Sequence, residues 1–366
     1  MRESFLQLMR GESPDGIVWT ADISYYISGH CYRGDGDPVW ESELGHLKLA
    51  RDLGIMPFYW YDHFFLFRAV YDDRIEVVST TEAQRKICTW TTPAGPLRME
   101  TVFAEASWSE AIVKYPVETE SDLKSLICLL EHRKLIPDHL DDFHRRMEMW
   151  AQYDGVPSAG MPRSPLPAFF VEWAGVQHGV YLMMDFPDLV ARAFELLEEQ
   201  EQPIVEAVCE TKPPVLHFPD NLTSETFTGF FDLYMAEVYR RRFEAFHDAG
   251  IACAVHLDGV VRGLLPKLAE VGFDAVEAVT PAPVGDVPLE EMRELAGNDN
   301  VVLWGGVPGA MFAPPFTWDD MKQHVEKLLD CWEGTRFVVG VADQVPPDGD
   351  IDMCSKIAQL IQERQS

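Results

Sequence analysis

The sequence is short of positive charge. Its 366 residues include 30 lysines and arginines against 60 aspartates and glutamates, which gives a formal net charge of -30. A surface of that sign repels phosphate backbones and anionic lipid headgroups, so we expect neither nucleic acid nor a membrane as a partner. Long apolar runs are missing too, because no segment approaches the roughly 20 residues that span a bilayer and the first residues lack a signal-peptide core. We therefore expect a cytoplasmic protein.

Several motifs are also absent. The seven cysteines never form a C-x-x-C pair, which excludes a zinc ribbon and a disulfide framework and is typical of reduced core residues. No G-x-G-x-x-G or G-K-[ST] motif follows a predicted strand, so nothing indicates a nucleotide site. No nucleophile elbow indicates a serine hydrolase.

The second half of the sequence alternates apolar runs of strand length with amphipathic helices. The predicted strands are Val215–Phe218, Ile251–His256, Ala275–Ala278, Val301–Trp304 and Phe337–Val341, and the predicted helices are Leu233–Ala249, Val261–Val271, Leu289–Leu295, Trp318–Trp332 and Ile351–Gln365. This order makes neighbouring strands parallel, and five such units are more than half of a (β/α)8 TIM barrel. We therefore predict an α/β chain with a single barrel domain over residues 1–366.

The first half, about residues 1–165, is less regular and is predicted to contain helical and β-hairpin additions. The predicted elements are a strand over Gly16–Ile23, a hairpin within Glu76–Phe103, and helices over Ser42–Arg51, Ser121–His132 and Leu140–Ala151. A stretch rich in proline and glycine, Gly155–Pro167, is predicted to cross the barrel mouth.

Polar side chains at the ends of apolar runs are the candidates for chemistry, because reactive groups in this fold lie at the carboxyl ends of the strands. We expect His256, Asp258 and Asp343 to be catalytic. The residues expected to contact substrate are Tyr59, Trp60, Asp62, His63, Asp220, Asn221, Trp304 and Gln344. The polar members should converge on one cleft, since a closed parallel barrel brings strand ends into one ring. Glu172 and Glu277 pass the same filter and receive no role.

Each of these candidates also has a structural interpretation. His256 and Asp258 share one face of a strand and can grip one ion or substrate, but Asp258 can equally cap the turn at Gly259 while His256 is bonded in the core. Asp220 and Asn221 fit a turn almost as well as a substrate site. For Asp343, which precedes two prolines, the active-site interpretation is preferred over a turn residue.

Four segments of the second half carry a family resemblance: VLHFPDNLTSE, VHLDGVVRGLLPKLAEVGFDAVEAVTP, VVLWGGV and FVVGVADQVPPDGDI. Together with TTPAGPLR and YPVETESDLK they resemble the uroporphyrinogen decarboxylase superfamily, from about Thr89 onward. This superfamily also contains cobalamin-dependent methyltransferases. The resemblance implies a TIM barrel with its cleft at the carboxyl ends of the strands.

The methyltransferase-like branch is the nearer one. True uroporphyrinogen decarboxylases have an arginine-rich run near the N-terminus for the substrate carboxylates, and the matching TADISYYISGH has no arginine. The methyltransferases hold zinc with H-x-C and a later cysteine, where this sequence has His256-Leu257-Asp258 and Asp343. The resemblance thus implies His256, Asp258 and Asp343 as ligands of zinc, manganese or iron, or a site that binds no metal.

We therefore expect an enzyme that moves a methyl group between a small O- or N-methylated compound and a corrinoid held on a partner protein. One alternative is a metal-independent decarboxylase or lyase of a small carboxylic acid, with Asp343 or Asp258 as proton donor. The other is a non-enzymatic barrel that binds a ligand.

Overall fold

A computed structural model of the chain describes residues 1–105 and 108–365. The chain divides into two compact units. The larger unit consists of Met1–Phe65, His139–Gly160 and the chain from Thr211 onward, and the smaller unit of Leu66–Asp138 and Met161–Glu210. One barrel domain over residues 1–366 stays a prediction.

The strands, in chain order, are β1 (Trp19–Thr20), β2 (Phe67–Tyr71), β3 (Glu76–Glu82), β4 (Arg85–Thr92), β5 (Gly95–Ala104), β6 (Ser109–Lys114), β7 (Arg133–Pro137), β8 (Val215–Leu222), β9 (Ala252–Leu257), β10 (Ala275–Val279), β11 (Val302–Pro308) and β12 (Phe337–Ala342). The helices are α1 (Arg2–Met9), α2 (Ser24–Arg33), α3 (Glu43–Asp52), α4 (Glu120–Glu131), α5 (Leu140–Ala151), α6 (Pro165–Ala168), α7 (Gly175–Asp185), α8 (Pro187–Glu199), α9 (Gln202–Thr211), α10 (Ser224–Phe227), α11 (Phe231–Tyr234), α12 (Ala236–Asp248), α13 (Leu265–Val271), α14 (Leu289–Ala296), α15 (Trp318–Trp332) and α16 (Asp352–Gln365). Within the described residues, no helix is both long and apolar enough to cross a membrane.

A six-stranded parallel sheet forms the centre of the larger unit, in the order β1-β12-β11-β10-β9-β8. This confirms the predicted parallel strands and the mixed α/β class. Helices follow the strands as the sequence pattern predicts, and α15 has the predicted bounds. The Thr317 side chain and Asp320 form a capping box that begins this helix, and Gly272 with a φ of 118° ends α13.

Two extended segments, residues 55–60 and 156–160, continue the backbone hydrogen bonding beyond this sheet. Met56 N donates to Trp19 O of β1 at 2.9 Å, and Ser158 N donates to Phe58 O at 3.1 Å. His217 N of β8 then donates to Ala159 O at 2.7 Å. The prediction that the whole Gly155–Pro167 stretch crosses a barrel mouth is therefore wrong for residues 156–160, whose backbone groups bond to neighbouring segments as a strand's do.

The core of the larger unit lies against one face of the sheet and takes side chains from alternate strand positions. Val215, Ala252, Ala275, Val302 and Val338 all belong to it. Trp304 is fully buried there, with its Nε1 donating to Thr20 Oγ1 at 2.8 Å and its ring against Phe5 and Phe58. Trp304 is thus a core residue, and the prediction that it contacts substrate is wrong.

The smaller unit contains a four-stranded antiparallel sheet, β3-β4-β5-β6, and the pair β2-β7. The predicted hairpin is confirmed, because Thr92 of β4 pairs with Gly95 of β5 across a tight turn. Helix α4 begins at a capping box of Thr119 and Asp122, one residue before the predicted start. Its buried leucines face β5 and α8.

Candidate active site

Three polar side chains meet inside the larger unit, on the neighbouring strands β8, β9 and β10. His256 Nδ1 lies 2.7 Å from Glu277 Oε2, and His217 Nε2 lies 3.3 Å from the same oxygen. Register explains the meeting, since His256 and Glu277 are direct partners in the parallel pair of β9 and β10. Tyr59 OH donates to Glu277 Oε1 at 2.7 Å. Both oxygens of Glu277, which is 1% exposed, are therefore bonded.

The electrostatics of this cluster favour a charged pair. Burial lowers the pKa of His256, but the charge of Glu277 and hydrogen bonds to Asp258 and Glu277 outweigh it and hold that pKa well above 6.5. Burial raises the pKa of Glu277, yet His256 and His217 bring it far below its usual value. These shifts favour the protonated imidazole at His256, with its Nδ1 bonded to Glu277.

The other ring nitrogen of His256 faces the predicted carboxylates. His256 Nε2 lies 3.9 Å from Asp258 Oδ2. Asp258, Asp343 and Gln344 line one cavity of about 340 Å³, together with Thr280. Burial and the charge of Asp258 raise the pKa of Asp343 to about 6, against a lowering effect of His256. The structure thus brings together four of the predicted residues at the carboxyl ends of β9 and β12.

These residues fit a divalent cation in donor chemistry. Imidazole and carboxylate groups are accepted zinc ligands and also suit manganese or iron. With Nδ1 bonded to Glu277, His256 could bind a metal through Nε2 once this nitrogen loses its proton, which is the usual arrangement of a metal-binding histidine oriented by a carboxylate.

The atoms of His217, His256 and Glu277 form a second donor group, all within 4.8 Å of one another. Glu277 and His256 are hydrogen-bonded at 2.7 Å there. Two ligands of a tetrahedral zinc ion lie about 3.3 Å apart, so this contact is too short for a shared ion. Among the described residues, His256, Asp258 and Asp343 do not form such a close donor group, so their role as metal ligands stays a prediction.

A second cavity, which we call the aromatic cavity, has a volume of about 210 Å³. It is lined by Ser24, Ile27, Ser28, Trp40, Glu41, His46, Trp60, Tyr61 and Asp62. Tyr61 OH donates to Asp22 Oδ2 at 2.5 Å, and Asp22 is 1% exposed. Tyr61 is two residues from Tyr59, whose hydroxyl donates to Glu277 at 2.7 Å. Two predicted substrate residues, Trp60 and Asp62, line this cavity.

The remaining predicted substrate residues lie elsewhere. Asp220 is fully buried and accepts from Tyr239 OH of α12 at 2.6 Å, so it faces the helix layer. Asn221 is exposed with a φ of 50°, as in a turn. His63 bonds to Asp142 at 2.6 Å and stacks on His139. Tyr59 is buried and reaches the site through Glu277 only. The single cleft predicted for all polar candidates is therefore not observed.

Sequence reasoning assigned no role to His217, Glu277 or Asp22. The filter sought polar residues that end apolar runs, whereas His217 lies within one, between Leu216 and Phe218. Strand alternation could have found it, because His217 shares the inward face with Val215. Asp22 lies two residues after the short strand β1, and the predicted strand Gly16–Ile23 includes it.

A different donor group, of His247, Cys253 and Asp274, lies at the opposite ends of the strands. Asp274 Oδ2 accepts from His247 Nε2 at 2.9 Å and from Cys253 N at 2.7 Å. The carboxylate therefore ties the end of α12 to the start of β9.

One prediction concerns His46, whose pKa is lowered to about 4 by burial. The unfolded chain binds a proton on this residue near pH 6.5 and the folded chain does not. The free energy of unfolding should therefore fall as the pH drops from 6.5 to 4, by up to about 3 kcal/mol from this residue. In His46→Gln this part of the slope should vanish, as measured by urea unfolding at several pH values. Equal slopes in both proteins would contradict the prediction.

Comparison with known proteins shows the fold. No protein-family model matches the chain, and no curated protein matches it. Among solved structures, a methyltransferase from Methanosarcina mazei has a TM-score of 0.62 and 13% identity, covering 99% of this chain and 98% of its own. A B12-independent methionine synthase from Shewanella sp. W3-18-1 has a TM-score of 0.45 and 14% identity, covering 89% and 88% of the two chains. A putative B12-independent methionine synthase from Listeria monocytogenes has a TM-score of 0.44 and 10% identity, covering 96% of each chain. Only the first likeness is close enough to show a shared fold.

Proposed function

We propose that the protein is a methyl-transfer enzyme with its reactive centre at His256. The observation that carries the proposal is the pair of partly buried His256 and buried Glu277, in which the other ring nitrogen of His256, Nε2, faces Asp258 at the carboxyl ends of parallel strands. The family resemblance from Thr89 onward adds support.

We also infer that residues 55–60 and 156–160 complete an eight-stranded parallel barrel between β1 and β8, since hydrogen bonds join them in that order.

In the proposed reaction, the bond between the methyl carbon and its oxygen or nitrogen breaks with both electrons on the heteroatom. For an ether, the protonated His256 donates its Nε2 proton to the leaving oxygen, and Glu277 holds the imidazole in place during the transfer. The methyl group passes to a reduced corrinoid that a partner protein brings as the second substrate. A divalent metal held by Asp258, Asp343 and a deprotonated His256 Nε2 would take the place of this proton and supply Lewis-acid stabilisation of the leaving atom.

The experiment that tests the proposed function is incubation with cob(I)alamin and a panel of methoxylated aromatic compounds and methylated amines. Formation of methylcobalamin from one of them is the expected result, and with an ether as donor it should be lost in His256→Gln. The absence of methylcobalamin for every compound, with folded protein, would argue against methyl transfer.

A second prediction concerns the metal. After loading with zinc and gel filtration, elemental analysis should find about one equivalent in the native protein and much less in Asp258→Asn or Asp343→Asn, since each loses a ligand. His217→Gln tests the other donor group of the site, and Cys253→Ser is the control for the group at the far ends of the strands. Metal lost in His217→Gln and kept in Asp258→Asn would contradict the prediction, because the metal would then bind to the group of His217, His256 and Glu277.

One observation favours a second candidate, a decarboxylase or lyase. Burial raises the pKa of Asp343 to about 6, so this carboxyl group is partly protonated near neutral pH and can donate a proton to a carbanion. Release of carbon dioxide from a small carboxylic acid by metal-free protein, abolished in Asp343→Asn, would support this candidate over methyl transfer.

A further inference from the structure

The two cavities described above share one electrostatic property. Among the described residues that line them, there is no lysine or arginine. The carboxylates of Glu41 and Asp62 line the aromatic cavity, and those of Asp258 and Asp343 line the other. A divalent ion on His256 would not neutralise Glu41 and Asp62. The aromatic cavity therefore offers no counter-ion to an anionic substrate, whereas it offers two carboxylates to a cationic one.

The aromatic cavity also carries ring faces that suit a cation. Trp40, Trp60 and Tyr61 line it, and such rings attract ammonium groups most strongly when water is excluded. Two of the rings are held in place: Trp60 packs against His46 with centroids 5.3 Å apart, and Tyr61 is fixed by its bond to Asp22. His46 stays neutral, since burial lowers its pKa to about 4, and so adds no positive charge.

We propose that the methyl donor is a small N-methylated ammonium compound, whose cationic head lies between Trp40, Trp60 and Tyr61 with Asp62 and Glu41 as counter-ions. This inference rests on the proposed methyl transfer and assigns the donor to the N-methylated compounds, not to the methyl ethers. The carbon–nitrogen bond breaks with its electron pair on nitrogen, which leaves a neutral amine. The methyl group forms a bond to the cobalt of the reduced corrinoid, which supplies both electrons of that bond. Release of a neutral amine needs no proton from His256, whereas release of an ether oxygen does.

The binding test compares choline with 3,3-dimethylbutan-1-ol, a neutral molecule of nearly the same shape. Isothermal titration calorimetry of the full chain should give a dissociation constant for choline at least about tenfold lower than for the alcohol. Equal affinities, or no binding of choline at millimolar concentration, would overturn the inference, because shape alone would then decide binding.

Variants locate the site. Trp60→Leu and Asp62→Asn should each weaken choline binding about fivefold or more and leave the alcohol unchanged, whereas Trp60→Phe should retain most of the affinity. The matched control is Trp318→Leu on α15, where the indole lies under Lys356 and outside the cavity. Circular dichroism melting shows which variants fold. Choline binding that survives Trp60→Leu, Trp40→Leu and Asp62→Asn in folded protein would overturn the assignment of this cavity.

Turnover separates this inference from the proposed function. Methyl transfer to cob(I)alamin from choline or methylated amines, and not from methoxylated aromatic compounds, is the expected pattern. Transfer from the aromatic ethers alone would overturn the nitrogen class and leave methyl transfer in place. Cation-selective binding without transfer from any compound would instead count against the proposed function, and with it against the assignment of choline-like molecules as methyl donors.

Discussion

Replacing Glu277 with glutamine is expected to bring the pKa of His256 from well above 6.5 to below it. Burial alone lowers this pKa, and the charge of Glu277 is the main effect that opposes burial. An imidazole that is neutral at pH 7 cannot donate a proton, so any turnover that needs this proton, such as the cleavage of an ether, should fall by about 10²- to 10⁴-fold. The side chain of glutamine keeps the size of the original and can still accept from Tyr59.

Nuclear magnetic resonance titration of the histidine ring protons measures this pKa directly. The protein should first be treated with a chelator, so that no metal competes for Nε2. Asp274→Asn is the matched control, because Asp274 raises the pKa of His247 and not that of His256. A His256 signal that still titrates above pH 7 in Glu277→Gln would contradict the electrostatic account of the site.

The second large effect is expected from Trp304→Ala, which should lower the free energy of unfolding by about 3–5 kcal/mol. The indole is fully buried between Phe5 and Phe58, and its removal leaves a cavity and strands the Thr20 hydroxyl without its donor. Denaturant unfolding measures the loss. Trp318→Ala, at a half-exposed position, should cost less than about 1 kcal/mol. Similar losses at the two positions would show that Trp304 is not packed as described.

The parallel sheet could be predicted because its strands are continuous apolar runs and its helices have strong periodicity. The strand Phe337–Val341 matches β12 within one residue, and helix α5 has the predicted bounds Leu140–Ala151. Helices α2 and α7 were not predicted. Their sequences contain glycine and β-branched or aromatic residues, which lower helix propensity, so tertiary packing decides their structure.

Residues of the candidate site could be predicted only at those strands whose ends could be predicted. His256, Asp258, Asp343 and Gln344 follow well-marked strands, and the structure places them together. Asp220 met the same criterion, but β8 continues to Leu222, so the residue lies within the strand and faces α12. The direction of a side chain depends on where its strand ends, and the sequence marks that point poorly.

The pairing of β1 with β12 has a consequence for the order of folding. Trp19 and Thr20 find their partners only at Val339 and Gly340, and the hydrogen bond from Trp304 to Thr20 joins residues 284 positions apart. Contacts so distant along the chain make folding slow, because a long loop must close before any of them is gained. During synthesis, both the first strand and the edge of β11 stay unpaired until β12 has left the ribosome. The emerging chain therefore exposes the edge of β1 for most of its translation and that of β11 near its end, and we expect it to need chaperone protection there.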